Sequence, residues 1–288
     1  MLIVNDIAGH GKVAGNVNIP IVSAAQFEPT ILPTLILSTN ADFHRGAPVT
    51  REMEDAFEKM LQHFEDAEIP FSSYSTGYFA NAEQVDTFIA FYHRQMEHNP
   101  DALLFVDPIM GDGGSAYTGF NETVVKKLGE LVGESDVAMP NLTEACLMTD
   151  FPYSEPMASD LLHELAEAVH NLGAKNVVIT GVEDEEKFRA DQIGFYSYNE
   201  AGETNYHMHK KTHQHFFGTG DMAISLTAAF YQTGCSLDES LELAGEFIEI
   251  ALADTVVLER NYQFGIYFEP MMGKLSQKIT ELREQHNI

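Results

Sequence analysis

The tetrapeptide Gly218-Thr219-Gly220-Asp221, followed directly by the apolar helical pattern Met222-Ala223-Ile224-Ser225-Leu226, is the stretch of this chain best suited to do chemistry. Two glycines let the backbone approach a ligand closely, and a helix that starts there adds the positive end of its dipole, so the turn makes a socket for an anion. An aspartate at the mouth of such a socket repels what the amides attract. It becomes useful if Asp221 takes a proton from a hydroxyl that then attacks a phosphorus atom held by the amides, the geometry of phosphoryl transfer to an alcohol. The same four residues read equally as a plain turn with an acidic helix start, so other segments must decide between the two. The run before the turn reads as a strand, and the helix pattern is expected from Met222 onward.

Further polar residues sit just after apolar runs. Asp107-Pro108-Ile109-Met110-Gly111-Asp112 follows Leu103–Val106, Pro140-Asn141-Leu142-Thr143-Glu144 follows Val137–Met139, and Thr180-Gly181 closes Asn176–Thr180. In open α/β sheets ligands bind at the carboxyl ends of the strands, so these positions are expected to converge. Asn141 and Glu144 are spaced to share one face of a helix's first turn. Carboxylates gathered at an anion socket call for a hard cation, and Mg²⁺ takes one or two carboxylates plus phosphate oxygens while keeping most of its waters. The candidate metal residues are therefore Asp107, Asp112 and Glu144, largely through water. The bland alternatives are a helix cap for Asn141 and Glu144, and a surface turn for Asp112-Gly113-Gly114.

The elements that must position these residues alternate between short apolar strands and amphipathic helices. Strands are expected at Leu2–Val4, Thr34–Leu37, Ser73–Thr76, Leu103–Val106, Val137–Met139 and Asn176–Thr180. Helical periodicity runs through Val17–Ala25, Thr50–Glu65, Ala82–His98, Thr123–Val132, Ser159–Leu172 and Asp238–Ala253. Ile193–Tyr198 and Thr204–His209 flank Asn199-Glu200-Ala201-Gly202 and read as an antiparallel hairpin. The expectation is one three-layer α/β/α domain over residues 1–288, with a mostly parallel sheet and a late antiparallel hairpin.

Composition narrows the partners. The chain has 288 residues, 44 acidic against 16 basic, and a formal charge of −28. Such a surface repels nucleic acid and anionic membranes, and no segment approaches the ~18 apolar residues of a membrane span. Cys146 and Cys235 lie far apart without metal-ligand spacing, and the N-terminus reads as a first strand rather than a signal peptide. A cytoplasmic location is expected. His207, His209, His213 and His215 are suggestive of a metal cluster but lack carboxylate or cysteine partners at close spacing. The nearest of them to the glycine turn is His215, a candidate ligand contact, and Lys12 reads as a loop lysine.

In order, Thr76-Gly77-Tyr78, Asp107-Pro108-Ile109-Met110-Gly111-Asp112, Pro140-Asn141-Leu142-Thr143-Glu144, Val177-Val178-Ile179-Thr180 and Gly218-Thr219-Gly220-Asp221 resemble the pyridoxal, pyridoxine and pyridoxamine kinases of the ribokinase-like superfamily. The resemblance implies a ribokinase-like fold and an ATP-dependent kinase of the 5′-hydroxymethyl group of a B6 vitamer, with Asp221 as the base. It assigns stabilisation of the transferring phosphoryl group to the backbone at Gly218, Thr219 and Gly220. ATP contacts fall to Asp112, Asn141, Glu144, Thr180 and Thr219, and vitamer contacts to Asp6, Asn40, Tyr78 and Asp221. Mg²⁺ would be organised by Asp107, Asp112 and Glu144. A monovalent cation, a homodimer and a flap over residues 113–120 are further family expectations. Two departures bear on the acceptor: Asp6 stands where pyridoxal kinases often have serine, and Asn40-Ala41-Asp42 where they often have His-Thr-Gly. The Asp6–Val13 run looks instead like a bacterial pyridoxamine kinase subgroup. The alternatives are a hydroxymethylpyrimidine or other small-alcohol kinase of the same superfamily, and a catalytically weak vitamer-binding or sensing protein.

Overall fold

The computed structural model describes residues 1–40, 46–183, 191–259 and 261–288. Alternating side chains on short apolar runs decide the layering. In the first strand, β1 (Leu2–Ala8), Leu2 and Val4 enter one core and Ile3 the opposite one. Leu104 and Val106 likewise oppose Phe105, and Val177 and Ile179 oppose Val178. A strand whose two faces are both apolar must be covered on both sides, and helices supply the cover.

The other strands are β2 (Thr30–Leu37), β3 (Thr50–Glu52), β4 (Ser73–Thr76), β5 (Leu103–Val106), β6 (Gly111–Asp112), β7 (Ser115–Ala116), β8 (Val137–Ala138), β9 (Asn176–Val182), β10 (Gln192–Tyr198) and β11 (Thr204–Lys210). Nine of them form one sheet in the order β11-β10-β9-β8-β5-β4-β1-β2-β3. The six from β9 to β2 run parallel, and antiparallel strands close both edges. Among the helices, α1 (Gly15–Ala24), α7 (Thr219–Gln232), α8 (Leu237–Val257) and α9 (Met272–His286) cover one face. The other face is covered by α2 (Glu54–Asp66), α3 (Ala82–His98), α4 (Glu122–Gly133), α5 (Leu142–Thr149) and α6 (Ser159–His170). This is the expected three-layer α/β/α architecture with a mostly parallel sheet and the late hairpin, β10–β11.

Three expectations need correcting. The run Thr50–Glu65 is not wholly helical: Thr50–Glu52 is the edge strand β3, antiparallel to β2, and the helix starts at Glu54. No strand leads into the glycine turn, because β11 ends at Lys210 and an irregular connection covers 211–218. Helix α7 starts at Thr219 rather than Met222, so the second glycine and the aspartate lie in its first turn.

Candidate active site

Parallel strands deliver their carboxyl ends to one edge of the sheet, where the N-termini of α5 and α7 also point. Gly218, in the left-handed conformation with φ 88, is the N-cap of α7. The first N–H groups of an α-helix have no intrahelical acceptor and face outward from its end. The Thr219 hydroxyl donates to the Phe216 carbonyl at 3.4 Å, so it helps shape the turn.

Asp221 is held on both carboxylate oxygens. Oδ2 accepts the Ala14 N–H at 2.7 Å, and Oδ1 accepts from Asn5 Nδ2 at 3.2 Å. Burial raises its pKa, and these two hydrogen bonds work against that rise. Asp107, at the end of β5, faces the same turn: a Cβ added at Gly220 would stand 3.7 Å from its Oδ2. Its pKa is raised first by burial, then by the charges of Glu144 and Asp221. Asp6, near the end of β1, is pushed up to about 7 by burial and then by Asp221. The carboxylates of Asp6, Asp221, Asp107 and Glu144, the last also repelled by Asp112, thus form a connected series of mutually unfavourable charges, and among the described residues no basic side chain counts among the groups shifting those four.

Glu144 and Asn141 meet their structural alternative. They form a complete capping box at the start of α5: Asn141 Oδ1 accepts the Glu144 N–H at 2.9 Å, and Glu144 Oε2 accepts the Asn141 N–H at 2.8 Å. Glu144 Oε1 also accepts the Met110 N–H at 3.2 Å, so both oxygens of this buried carboxylate are engaged. Burial still raises its pKa. Asn141 Nδ2 donates to the Gly111 carbonyl at 3.0 Å and pins the short β6–β7 hairpin. The turn reading of Asp112-Gly113-Gly114 is also met, since Gly113 and Gly114 have φ 57 and 80 and form the hairpin turn. Asp112 is exposed, and its Oδ1 accepts the Gly113 N–H at 2.8 Å. Thr180 is half-buried on β9, where its N–H donates to the Pro140 carbonyl at 2.9 Å beside Asn141.

These residues suit a divalent cation in part. Unbalanced carboxylates at a helix N-terminus are chemically apt for a hard ion, with Asp107 offering the freest oxygens. Among the described residues, no three His, Cys, Asp or Glu side chains are arranged to hold a metal ion by themselves. An ion there would need phosphate oxygens and water to complete its shell.

On the acceptor side, Tyr78 is half-buried, with its ring 5.7 Å from Phe120 of the 113–120 segment. Its hydroxyl pKa is raised first by burial and then by Asp6. Asn40 is buried and donates to the Gln263 carbonyl at 3.3 Å; Ala41 and Asp42 lie outside the described residues. The four histidines do not gather. His207 is buried with Nε2 3.1 Å from Asp238, His209 packs against Gly245, and His213 and His215 are exposed. Lys12 pairs with Glu269.

Asn5, Ala14, Asn18 and Ser225 are the neighbours of Asp221 that sequence reasoning passed over. A readable signal existed: Asn5 and Asn18 are amides inside otherwise apolar, buried runs, where a polar group must be hydrogen-bonded.

Asp6 carries a prediction for stability. Because its folded-state pKa lies above its ordinary value, the folded state holds the extra proton between those pH values, and stability falls as pH rises through that window. Asp6→Asn is expected to flatten the decline in melting temperature of the ligand-free protein between about pH 4 and pH 7. A slope equal to that of the unsubstituted protein would contradict it.

The fold is the ribokinase-like one. The chain belongs to the phosphomethylpyrimidine kinase family, which matches residues 25–265. It is similar to the pyridoxine/pyridoxal/pyridoxamine kinase of Bordetella avium, at 26% identity over 252 residues covering 85% of this chain and 82% of that protein. Among solved structures it resembles the pyridoxal kinase of Lactobacillus plantarum, with TM-score 0.87, 29% identity and coverage of 99% and 98% of the two chains. Its fold also matches that of the Leishmania donovani pyridoxal kinase in complex with ADP and pyridoxamine, with TM-score 0.82, 22% identity and 95% of each chain covered.

Proposed function

We propose that this chain is an ATP-dependent kinase of the 5′-hydroxymethyl group of a B6 vitamer, with Asp221 as the base. The observation that carries this reading is the placement of Asp221. Its carboxylate is fixed by Ala14 and Asn5 in the first turn of α7, beside Asp107 and the first N–H groups of the helix. Asp221 accepts the proton of the acceptor hydroxyl, the oxygen forms a bond to the γ-phosphorus, and the bond to the β-phosphate oxygen breaks to release ADP. The amides of Thr219 and Gly220 stabilise charge on the transferring group. When bound, Mg²⁺ neutralises phosphate charge; Asp107 is the residue placed to hold it, with Asp112 and Glu144 acting through water or through the backbone they brace. Asn141, Thr180 and Thr219 border the nucleotide side. Tyr78, Asn40 and Asp6 border the acceptor, where the Asp6 carboxylate suits a ring hydroxyl, a protonated pyridine nitrogen or an amine. The same reading includes a homodimer and a cytoplasmic location.

The family match favours one second reading, a kinase of hydroxymethylpyrimidine. Coupled ATP turnover with Mg²⁺ against pyridoxal, pyridoxine, pyridoxamine and hydroxymethylpyrimidine separates the two. Turnover on one or more B6 vitamers is expected. Turnover on hydroxymethylpyrimidine alone transfers the assignment, and nucleotide binding with no turnover on any of the four sinks both.

A further inference from the structure

Asn5 is buried midway along β1, and its side chain uses every hydrogen-bonding position it has. Its Oδ1 accepts the N–H of Asp6 at 2.9 Å and of Tyr78 at 3.0 Å. Its Nδ2 donates to Asn18 Oδ1 at 2.9 Å and to Asp221 Oδ1 at 3.2 Å. The orientation of the amide is not arbitrary, because two backbone N–H donors on one side can be met only by the oxygen. Asn18 extends the arrangement: its Nδ2 donates to the Asp221 carbonyl at 3.1 Å and to Ser225 Oγ at 2.9 Å. Two side-chain amides therefore grip both the carboxylate and the main chain of Asp221. Ala14 grips the other carboxylate oxygen from a backbone with φ 51, a conformation alanine rarely adopts. Gly77 encloses the assembly, since a Cβ there would lie 2.5 Å from Asn5 Nδ2 and 2.7 Å from its Oδ1.

We propose that Asn5 is a positioning residue of the phosphoryl transfer: its amide aims the Asp221 carboxylate at the acceptor hydroxyl and locks that aim to the backbone of Asp6 and Tyr78. This rests on the reading of Asp221 as the base. A carboxylate held on one oxygen turns readily about its Cβ–Cγ bond, because that torsion has broad minima. A second donor on the other oxygen removes the freedom. The residues that face the acceptor and the residue that deprotonates it then share a single hub, so an acceptor seated by Asp6 and Tyr78 arrives in register with the base. None of the four Asn5 contacts involves the nucleotide side of the cleft.

The test uses Asn5→Ala and Gly77→Ala, each made alone and on an Asp221→Asn background, with kcat and both KM values measured with Mg²⁺-ATP and pyridoxal. Gly77→Ala leaves every polar group in place and displaces the Asn5 amide by contact, so it serves even if Asn5→Ala does not fold. Misplaced reacting groups cost on the order of 10²-fold, and each single variant is expected to lose about 10- to 100-fold in kcat while KM for ATP stays near its original value. On the Asp221→Asn background neither substitution lowers kcat further, because the group being aimed is gone. Equal fold-losses on both backgrounds, a change confined to KM, or an unchanged kcat would each overturn the positioning role. Full turnover of Asp221→Asn alone would instead remove the base assignment, a different result from any of these.

Discussion

Asp221→Asn is expected to lower kcat by about 10²- to 10⁴-fold, the contribution of a positioned general base, while binding of ADP measured by calorimetry stays close to that of the unsubstituted protein. The substitution keeps the volume of the side chain and removes its capacity to take a proton, and its NH2 group also meets one of the two donors, Ala14 N–H or Asn5 Nδ2, that the carboxylate accepted. The pH dependence follows from the same burial. Burial raises the Asp221 pKa, and the Ala14 and Asn5 hydrogen bonds limit the rise. A base with a raised pKa is active above that pKa and protonated below it. The acid limb of the kcat profile should therefore lie at higher pH than an ordinary aspartate would give. Retention of full turnover in the variant, or an acid limb at the ordinary carboxylate position, would contradict this account.

Gly218→Ala is expected to be the most disruptive small substitution in the site. Gly218 has φ 88, and a Cβ built on it would lie 2.2 Å from the Lys12 carbonyl oxygen and 3.2 Å from the Lys12 carbonyl carbon. Left-handed backbone on a non-glycine residue costs about 1–3 kcal/mol, and overpacking against backbone about 1–3 kcal/mol more. A loss of roughly 2–6 kcal/mol is large beside the typical ~5–15 kcal/mol of a folded domain. Yielding by the Lys12 segment also moves Ala14, whose N–H holds Asp221, so kcat of the folded fraction should fall as well. Gly220 provides the contrast. An added Cβ there meets Asp107 Oδ2 at 3.7 Å, an ordinary contact, so Gly220→Ala should leave the denaturation midpoint much nearer its original value. Denaturant titrations of the two variants side by side check this, and equal midpoints would refute the distinction.

The parts of the fold that were legible are those where local periodicity and burial agree. The period of Ala82–His98 predicts a helix, and α3 occupies those residues, with Asn81 accepting the Gln84 N–H as its cap. The strands Leu103–Val106 and Ser73–Thr76 were likewise readable because both of their faces are buried. The edge strand β3 was not, because Thr50-Arg51-Glu52 is exposed throughout and forms by pairing with Leu35–Leu37 of the preceding strand, which leaves no apolar period to read. The start of α7 was misplaced because Gly218, Thr219 and Gly220 carry no apolar side chains from which a helical period could be read, and the helix begins instead where the backbone of Gly218 turns left-handed.

By itself the amino-acid sequence determined the alternation of strands and helices, the appearance of Asp107, Asn141, Glu144 and Thr180 after apolar strands, and the pairing of an anion-binding turn with Asp221. Those features follow from side-chain period and from the residue types that turns and helix starts require, which are local. Only the tertiary structure decided which carboxylates are free. Glu144 is occupied by the backbone of residues 110 and 141, while neither carboxylate oxygen of Asp107 is taken by a side-chain or backbone donor among the hydrogen bonds described. It alone also decided that Asn5 and Asn18 attend Asp221. The hydrogen bond from Asn5 to Asp221 spans 216 residues of chain, and no spacing rule reaches that far. It exists because a parallel sheet brings the middle of its first strand beside the N-terminus of a helix formed more than two hundred residues later.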